Sequence, residues 1–342
     1  MQAADAVFLR ACRREPVPYT PVWLLRQAGR YQDWYRKIRE RVPFLTLCKT
    51  PDLVAEVTAG AVEQLGVDAA ILFADILLIT EPLGFELSFG EGEGPRIGNP
   101  VRTAADVDRM RAPDAGELGY VYEAVRRTRA ALPEKMPLIG FAGAPFTVAS
   151  YLCEGTSSRD FLHTKGFMYG DAGAWHALLE RLSTATVAYL NGQIDAGAQV
   201  VQLFDSWVGH LGPSDYREYV LPHVRALVRG LRPEVPVIHF GTGTAALLES
   251  MKEAGGDVIG LDFRVELDEA WSRLGDVAVM GNLDPAVLLC DRALVRERAR
   301  RVLAQAGGRP GHVFNLGHGI FPGTPVDNVR ALVDAVHEMS AR

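Results

Sequence analysis

Three features of this 342-residue chain predict an α/β fold, a single-domain (β/α)8 TIM-type barrel. Eight short apolar runs recur along it, most of them separated by stretches with helical spacing. The runs end in chemically loaded residues: Arg26, Asp75, the GFAGAP turn, Asp205 with Ser206, His239, Asp262, Asn282 and His318. That one-sided loading is expected where the loops after the strands build a cleft at their C-terminal ends. No low-complexity tract or linker divides residues 1–342, so they read as one domain, although length alone would allow two.

In chain order, residues 3–12 predict a short helix, and Val22 to Leu25 a first buried strand. Pro51 opens the helical pattern DLVAEVTAGAVEQL, and AAILFAD (69–75) follows as a continuous apolar run, the mark of a strand covered on both faces. PLIGFAG (137–143), QVVQLFD (199–205), VPVIHFG (235–241), VIGLDF (258–263), Ala278 to Leu283 and HVFNLGHG (312–319) complete the set. Helical patterns such as WHALLERLSTATVAYLNGQIDAG and VDNVRALVDAVHEMS lie between or after them. Two interruptions stand out. Residues 84–116 predict a hairpin (FELSFGEGEGPRIG) and a polar helix, and the Gly- and Ser-rich 152–174 predicts a loop over the barrel mouth.

Hydrophobic residues make up 48% of the chain, ample for a large core, and the net charge is -6. Nucleic-acid and membrane-surface proteins usually carry a basic footprint, so neither partner is expected and a polyanionic ligand must meet a local patch. The four cysteines form no Cys-x-x-Cys pair, which argues against a disulfide framework or zinc ribbon and for a reducing cytosol. No signal peptide is expected, and the most apolar run, Ala69 to Ile79, is too short for a bilayer and contains Asp75. The expectation is a cytoplasmic protein.

The local patch lies between Arg26 and Arg41, where six basic residues face two acids for a net of +4. Arg36, Lys37 and Arg41 read as a solvated helix face. Arg26 and Arg30 differ: they follow a buried strand directly, Gly29 lets the backbone bend there, and guanidinium groups grip carboxylates bidentately.

Other candidates each have a bland alternative. Asp75, at the wet end of a buried strand, reads either as an Asx-turn or as a fixed negative charge facing a developing cation or N–H donors. GFAGAPFTVASY (140–151) lacks the Lys-Ser/Thr of a phosphate loop; its glycines suit a flat ligand, with Tyr151 as a hydrogen-bond donor or a core residue. Gly241, Gly243, Ala246 and Asp262 imitate a dinucleotide fingerprint, but in the fifth of a series of like units. Asp205, Ser206 and His210 imitate a hydrolase triad without the nucleophile elbow, leaving Ser206 as a ligand-bonding hydroxyl. His318 reads as structural, or as a substrate or proton-transfer group.

Together these segments resemble the uroporphyrinogen decarboxylase family. PVWLLRQAGRY (21–31) resembles its arginine-bearing signature and GFAGAPFT (140–147) its glycine-rich one. ILFADIL (71–77), QLFDSWVGHL (202–211) and NLGHGI (315–320) resemble it in the same order, so the likeness spans most of the chain. The chain departs from the family at Gln32 and Asp33, where Pro-Glu is usual, and at Asp205, where Glu is frequent. The resemblance implies a one-domain barrel, usually a homodimer, that removes the four acetate carboxyls of uroporphyrinogen III to give coproporphyrinogen III without cofactor or metal. Carried over, its substrate contacts fall on Arg26, Gln27, Arg30, Arg39, Asp75, Tyr151, Ser206 and His318. The catalytic work falls on Asp75, Arg26, Tyr151 and His318, with Arg26 favoured as proton donor and His318 and Tyr151 as rivals.

Three other readings compete. Zinc methyltransferases resemble this barrel but need His-x-Cys after the fifth strand, where this chain has His239, Phe240 and Gly241. A nicotinamide oxidoreductase would rest on the imitation fingerprint, and a non-catalytic tetrapyrrole-binding protein differs only in releasing no carbon dioxide.

Overall fold

Strands and helices alternate around a curled parallel sheet in the computed structural model, which describes residues 5–90, 94–112 and 115–342. The strands are β1 (Ala70–Ile71), β2 (Leu87–Phe89), β3 (Pro95–Ile97), β4 (Leu138–Gly143), β5 (Val200–Asp205), β6 (Val237–Gly241), β7 (Val258–Gly260), β8 (Ala278–Met280) and β9 (His312–Val313). The main sheet runs in the order β1-β4-β5-β6-β7-β8-β9, all pairs parallel, while β2 and β3 form the expected hairpin with Leu87 opposite Ile97. The start of the predicted first helix, the hairpin tip at 91–93 and residues 113–114 lie outside the described residues.

The first predicted strand is corrected. Residues 21–25 contribute one bridge, Val22 to Phe314, rather than a strand. They nevertheless fill the gap between β9 and β1: Phe314 N donates to Pro21 O at 2.8 Å on one side, and Asp68 N to Val22 O at 2.8 Å on the other. A longer ladder does not form because side chains take its donors. Asp68 Oδ2 accepts from Val22 N at 2.7 Å and Gln27 Oε1 from Leu24 N at 3.2 Å. The loop predicted at 152–174 is likewise mostly helix, with Pro145–Glu154, Leu162–Gly170 and Ala172–Asp195 following one another. Buried Phe167 and Met168, and the bonds of Thr164 to Glu154, hold a glycine-bearing segment that propensity alone would leave irregular.

Residues alternate between two cores, as strand geometry requires. Trp23, Leu25, Ile139, Val200, Ile238, Phe240, Val258, Ala278, Met280 and Val313 fill the lumen, and the helix Val7–Cys12 adds Phe8 and Leu9 to the same cluster. Val201, Leu203 and Val279 point the other way, into the larger cluster beneath the helices. Fully burying each Val, Leu, Ile or Phe side chain stabilises by about 1.5–3 kcal/mol. The helix Pro51–Leu65 buries Val54, Val57, Ala61 and Leu65, and ends at Gly66, whose φ of 70° closes it in the left-handed conformation that glycine adopts freely. From that helix Thr58 Oγ1 accepts from Phe73 N at 3.0 Å, fixing the chain two residues before Asp75.

Candidate active site

Arg26 stands at the seam of the barrel. Its φ of 59° is in the left-handed region, unusual for arginine, and such strain collects at functional sites. Bonds from both sides hold it there: Leu25 N donates to Asn315 Oδ1 at 3.0 Å, Ile320 N to Leu25 O at 3.1 Å, and Gln27 Nε2 to Ala69 O at 3.1 Å. Gln27 is 1% exposed and its amide is taken up by the backbone on both ends, so its side chain braces Arg26. Arg26 and Arg30 are exposed, and among the described residues neither side chain has a hydrogen bond or ion pair. Unpaired guanidinium groups attract carboxylates.

Gln32 and Asp33, the departures from the family pattern, begin the helix Asp33–Arg39. Gln32 is fully buried; its Oε1 accepts from Gly29 N at 2.9 Å and its Nε2 donates to Gln64 at 3.0 Å, which shapes the turn bearing Arg30. Arg36 Nη1 caps the Arg30 carbonyl at 2.8 Å and faces solvent with Lys37 and Arg41, as the sequence suggested. Arg39 is partly buried, lies 5.5 Å over the Phe44 ring and donates to Val42 O.

The Asx-turn reading of Asp75 is borne out, and it takes up one oxygen only. Oδ1 accepts from Leu77 N at 2.8 Å in an Asx-turn that leads into the short helix Leu78–Thr80. Oδ2 has no hydrogen bond among the described residues. Burial pushes the carboxyl up to about 6, against the pull of the Leu77 N–H and the Arg26 charge.

Arg26 also acts on Tyr151 and His318, and Asp75 on Tyr151, which places these four groups within electrostatic reach of one another. Tyr151, on the helix Pro145–Glu154, is pushed up to about 12 by burial and then by the Asp75 charge, with Trp207 and Arg26 opposing. Burial, more than any neighbour, holds His318 below its ordinary value, with Arg26 and Arg264 adding to it. The His318 ring stacks on Phe321 at 6.1 Å. Ser206 is partly exposed just after β5, its carbonyl accepting from Thr242 Oγ1.

The imitation motifs have structural roles. Asp262, 1% exposed, accepts from Gly243 N, from Arg264 N at 2.9 Å and from Arg264 Nη1 at 2.6 Å, tying two loops together where a ribose would have to sit. Asp205 and His239 are fully buried, 3.9 Å apart, and His239 Nδ1 lies 3.3 Å from Gly255 O, on the helical side of the sheet. Among the described residues no group of three or more His, Cys, Asp or Glu could hold a metal ion.

Sequence reasoning missed two things. Phe141, Phe204 and Phe240 project from neighbouring strands at centroid distances of 5.3 and 6.2 Å, an apolar wall whose signal was the alternation within each run. Arg264 sets a further guanidinium near His318, and lone arginines outside the basic stretch carried no signal.

The profile of the uroporphyrinogen decarboxylase (URO-D) family matches residues 4–339. A protein from Sorangium cellulosum named uroporphyrinogen decarboxylase is 57% identical over 336 residues, 97% of this chain and 96% of that one. One of the same name from Thermus thermophilus is 52% identical over 344 residues, covering 100% of both. Among solved structures, a methyltransferase from Methanosarcina mazei superposes with a TM-score of 0.83 at 22% identity, over 99% of each chain, which speaks for the barrel fold alone. On these matches, the chain belongs to the uroporphyrinogen decarboxylase family.

Proposed function

We infer that the chain is a carboxy-lyase that converts uroporphyrinogen III to coproporphyrinogen III in haem biosynthesis, with Asp75 as the charge around which the reaction is organised. The activity follows from family membership. The observation that carries the role of Asp75 is its free Oδ2 in an apolar, half-buried setting beside unpaired Arg26. Each turnover exchanges an acetate CO2⁻ for a proton. Protonation at a ring carbon makes the pyrrole cationic, the C–C bond breaks and its electron pair enters that ring as CO2 leaves. A second proton completes the methyl group while the ring-carbon proton is released to restore the aromatic pyrrole. Asp75 accepts hydrogen bonds from the pyrrole N–H groups and stabilises that cation. Preorganised charge of this kind is typically worth about 3–4 kcal/mol per group.

Arg26, Arg30 and Arg39 hold carboxylates of the eight-armed acid, Ser206 completes its contacts, Gln27 acts through Arg26 by bracing it, and Phe141, Phe204 and Phe240 keep water from the ring. Arg26, Tyr151 and His318 are the groups from which the proton comes, Arg26 first among them. We read residues 1–342 as one domain acting as a homodimer in the cytoplasm, without cofactor or metal. Among the described residues no helix is long and apolar enough to cross a membrane. The test is carbon dioxide release from uroporphyrinogen III by chelator-dialysed protein of sedimentation-defined mass. Four equivalents per substrate are expected; none, or activity only after zinc is restored, would sink the reading.

A further inference from the structure

Next to Ser206 lies a buried carboxylate that the reaction does not use. Asp205 is 0% exposed at the end of β5 and makes one hydrogen bond, from Thr147 Oγ1 to its Oδ1 at 2.9 Å. Among the described residues its Oδ2 has no hydrogen-bond partner, nor has Nε2 of His239, 3.9 Å away. A buried acid so poorly satisfied destabilises the fold, and an apolar residue of similar size would serve packing better. What the acid does is orient a hydroxyl. A carboxylate only accepts, so the Thr147 O–H must donate to it, and the hydroxyl lone pairs are left to accept from Trp207 N at 3.1 Å. Thr147 is itself fully buried.

The three linked residues bracket two groups of the site. Ser206 lies between Asp205 and Trp207, and Tyr151 lies one helical turn beyond Thr147 on the helix Pro145–Glu154. The Trp207 ring then packs on Tyr151 at 5.9 Å. One hydroxyl therefore fixes the spacing between the segment bearing Ser206 and the helix bearing Tyr151. We infer that Thr147, oriented by Asp205, is a positioning residue for the decarboxylation, acting through Trp207, Ser206 and Tyr151. This rests on the decarboxylase reading above.

The experiment compares kcat, KM and amide hydrogen exchange at Trp207 in the full chain, in Thr147→Val and in Thr147→Ser. Thr147→Val keeps the shape and removes the hydroxyl. It should lower kcat at least about tenfold with KM within about threefold, and speed exchange at Trp207. Thr147→Ser restores the hydroxyl and should restore both readouts. A folded Thr147→Val with wild-type kcat, an unchanged Trp207 amide, or a loss that serine does not rescue would overturn the inference. If Thr147→Val fails to fold, Asp205→Asn, which keeps size and weakens the orienting bond, decides instead: slower turnover with faster Trp207 exchange supports the inference, and unchanged turnover overturns it. A wild-type chain that releases no carbon dioxide overturns the decarboxylase reading and this inference with it; an active wild type beside an indifferent variant overturns this one alone.

Discussion

The side chain of Arg26 lies across Gly319, so that a β-carbon built on the glycine would collide with Cγ, Cδ and Nε of the arginine. Gly319→Ala is therefore expected to push Arg26 off its position and lower kcat/KM by roughly 10- to 100-fold, since a displacement near 1 Å costs that much in other sites. In an Arg26→Ala background the same substitution should be nearly silent. Steady-state kinetics of the four proteins in the cycle measure this, and additive losses would show that the glycine matters for another reason.

Asp75→Asn should separate stability from activity. Asparagine keeps the bond from Leu77 N and removes the buried charge, so turnover should fall by about 10²–10³-fold. The same variant should be more stable than wild type at pH 8, by about 1–3 kcal/mol. Urea unfolding beside turnover tests the pair of effects, and a near-wild-type rate would remove Asp75 from the mechanism.

The pH dependence follows from the same carboxyl, raised from 3.8 to about 6 chiefly by burial. The folded chain holds this proton more tightly than the unfolded chain. Its contribution to stability is thus complete at pH values below the unfolded pKa and is lost as pH rises through about 6. The stability difference between wild type and Asp75→Asn should accordingly vanish at low pH and level off above neutrality. Activity needs the ionised form, so kcat/KM should fall on the acid side with an apparent pKa of about 6, a limb absent from the residual activity of Asp75→Asn.

Asp262→Ala should act on the fold. It strips acceptors from Gly243 N and both Arg264 donors in a site 1% exposed, so a loss of about 2–4 kcal/mol is expected in thermal or denaturant unfolding. Nicotinamide dinucleotides should give no fluorescence change with either protein, because the carboxylate a ribose would need is engaged in the wild type and absent from the variant.

The barrel was legible because a buried strand with loaded ends has one meaning, and Asp75 and Arg26 stood out because each directly follows such a run. What escaped had physical causes. Whether residues 21–25 form a ladder depends on Asp68 and Gln27 competing for backbone donors, which no local pattern encodes. The helix Leu162–Gly170 is held by Glu154 and by the burial of Phe167, against the propensity of its glycines. That the Asx-turn of Asp75 takes up one oxygen and leaves the other open could not be read before the turn to Leu77 was seen. Gln27 sits among family substrate contacts, yet its amide is committed to Leu24 and Ala69.

Because the ring shuts between residues 21–25 and the segment around Phe314 to Ile320, Arg26 and His318 are neighbours that the chain meets at opposite ends of its synthesis. A nascent polypeptide lacking only the last few dozen residues holds every other strand and still lacks the Asn315 and Ile320 bonds that hold Arg26. Catalytic competence therefore arrives with the final contact of greatest sequence separation, and C-terminal truncation silences the enzyme by leaving Arg26 unbraced.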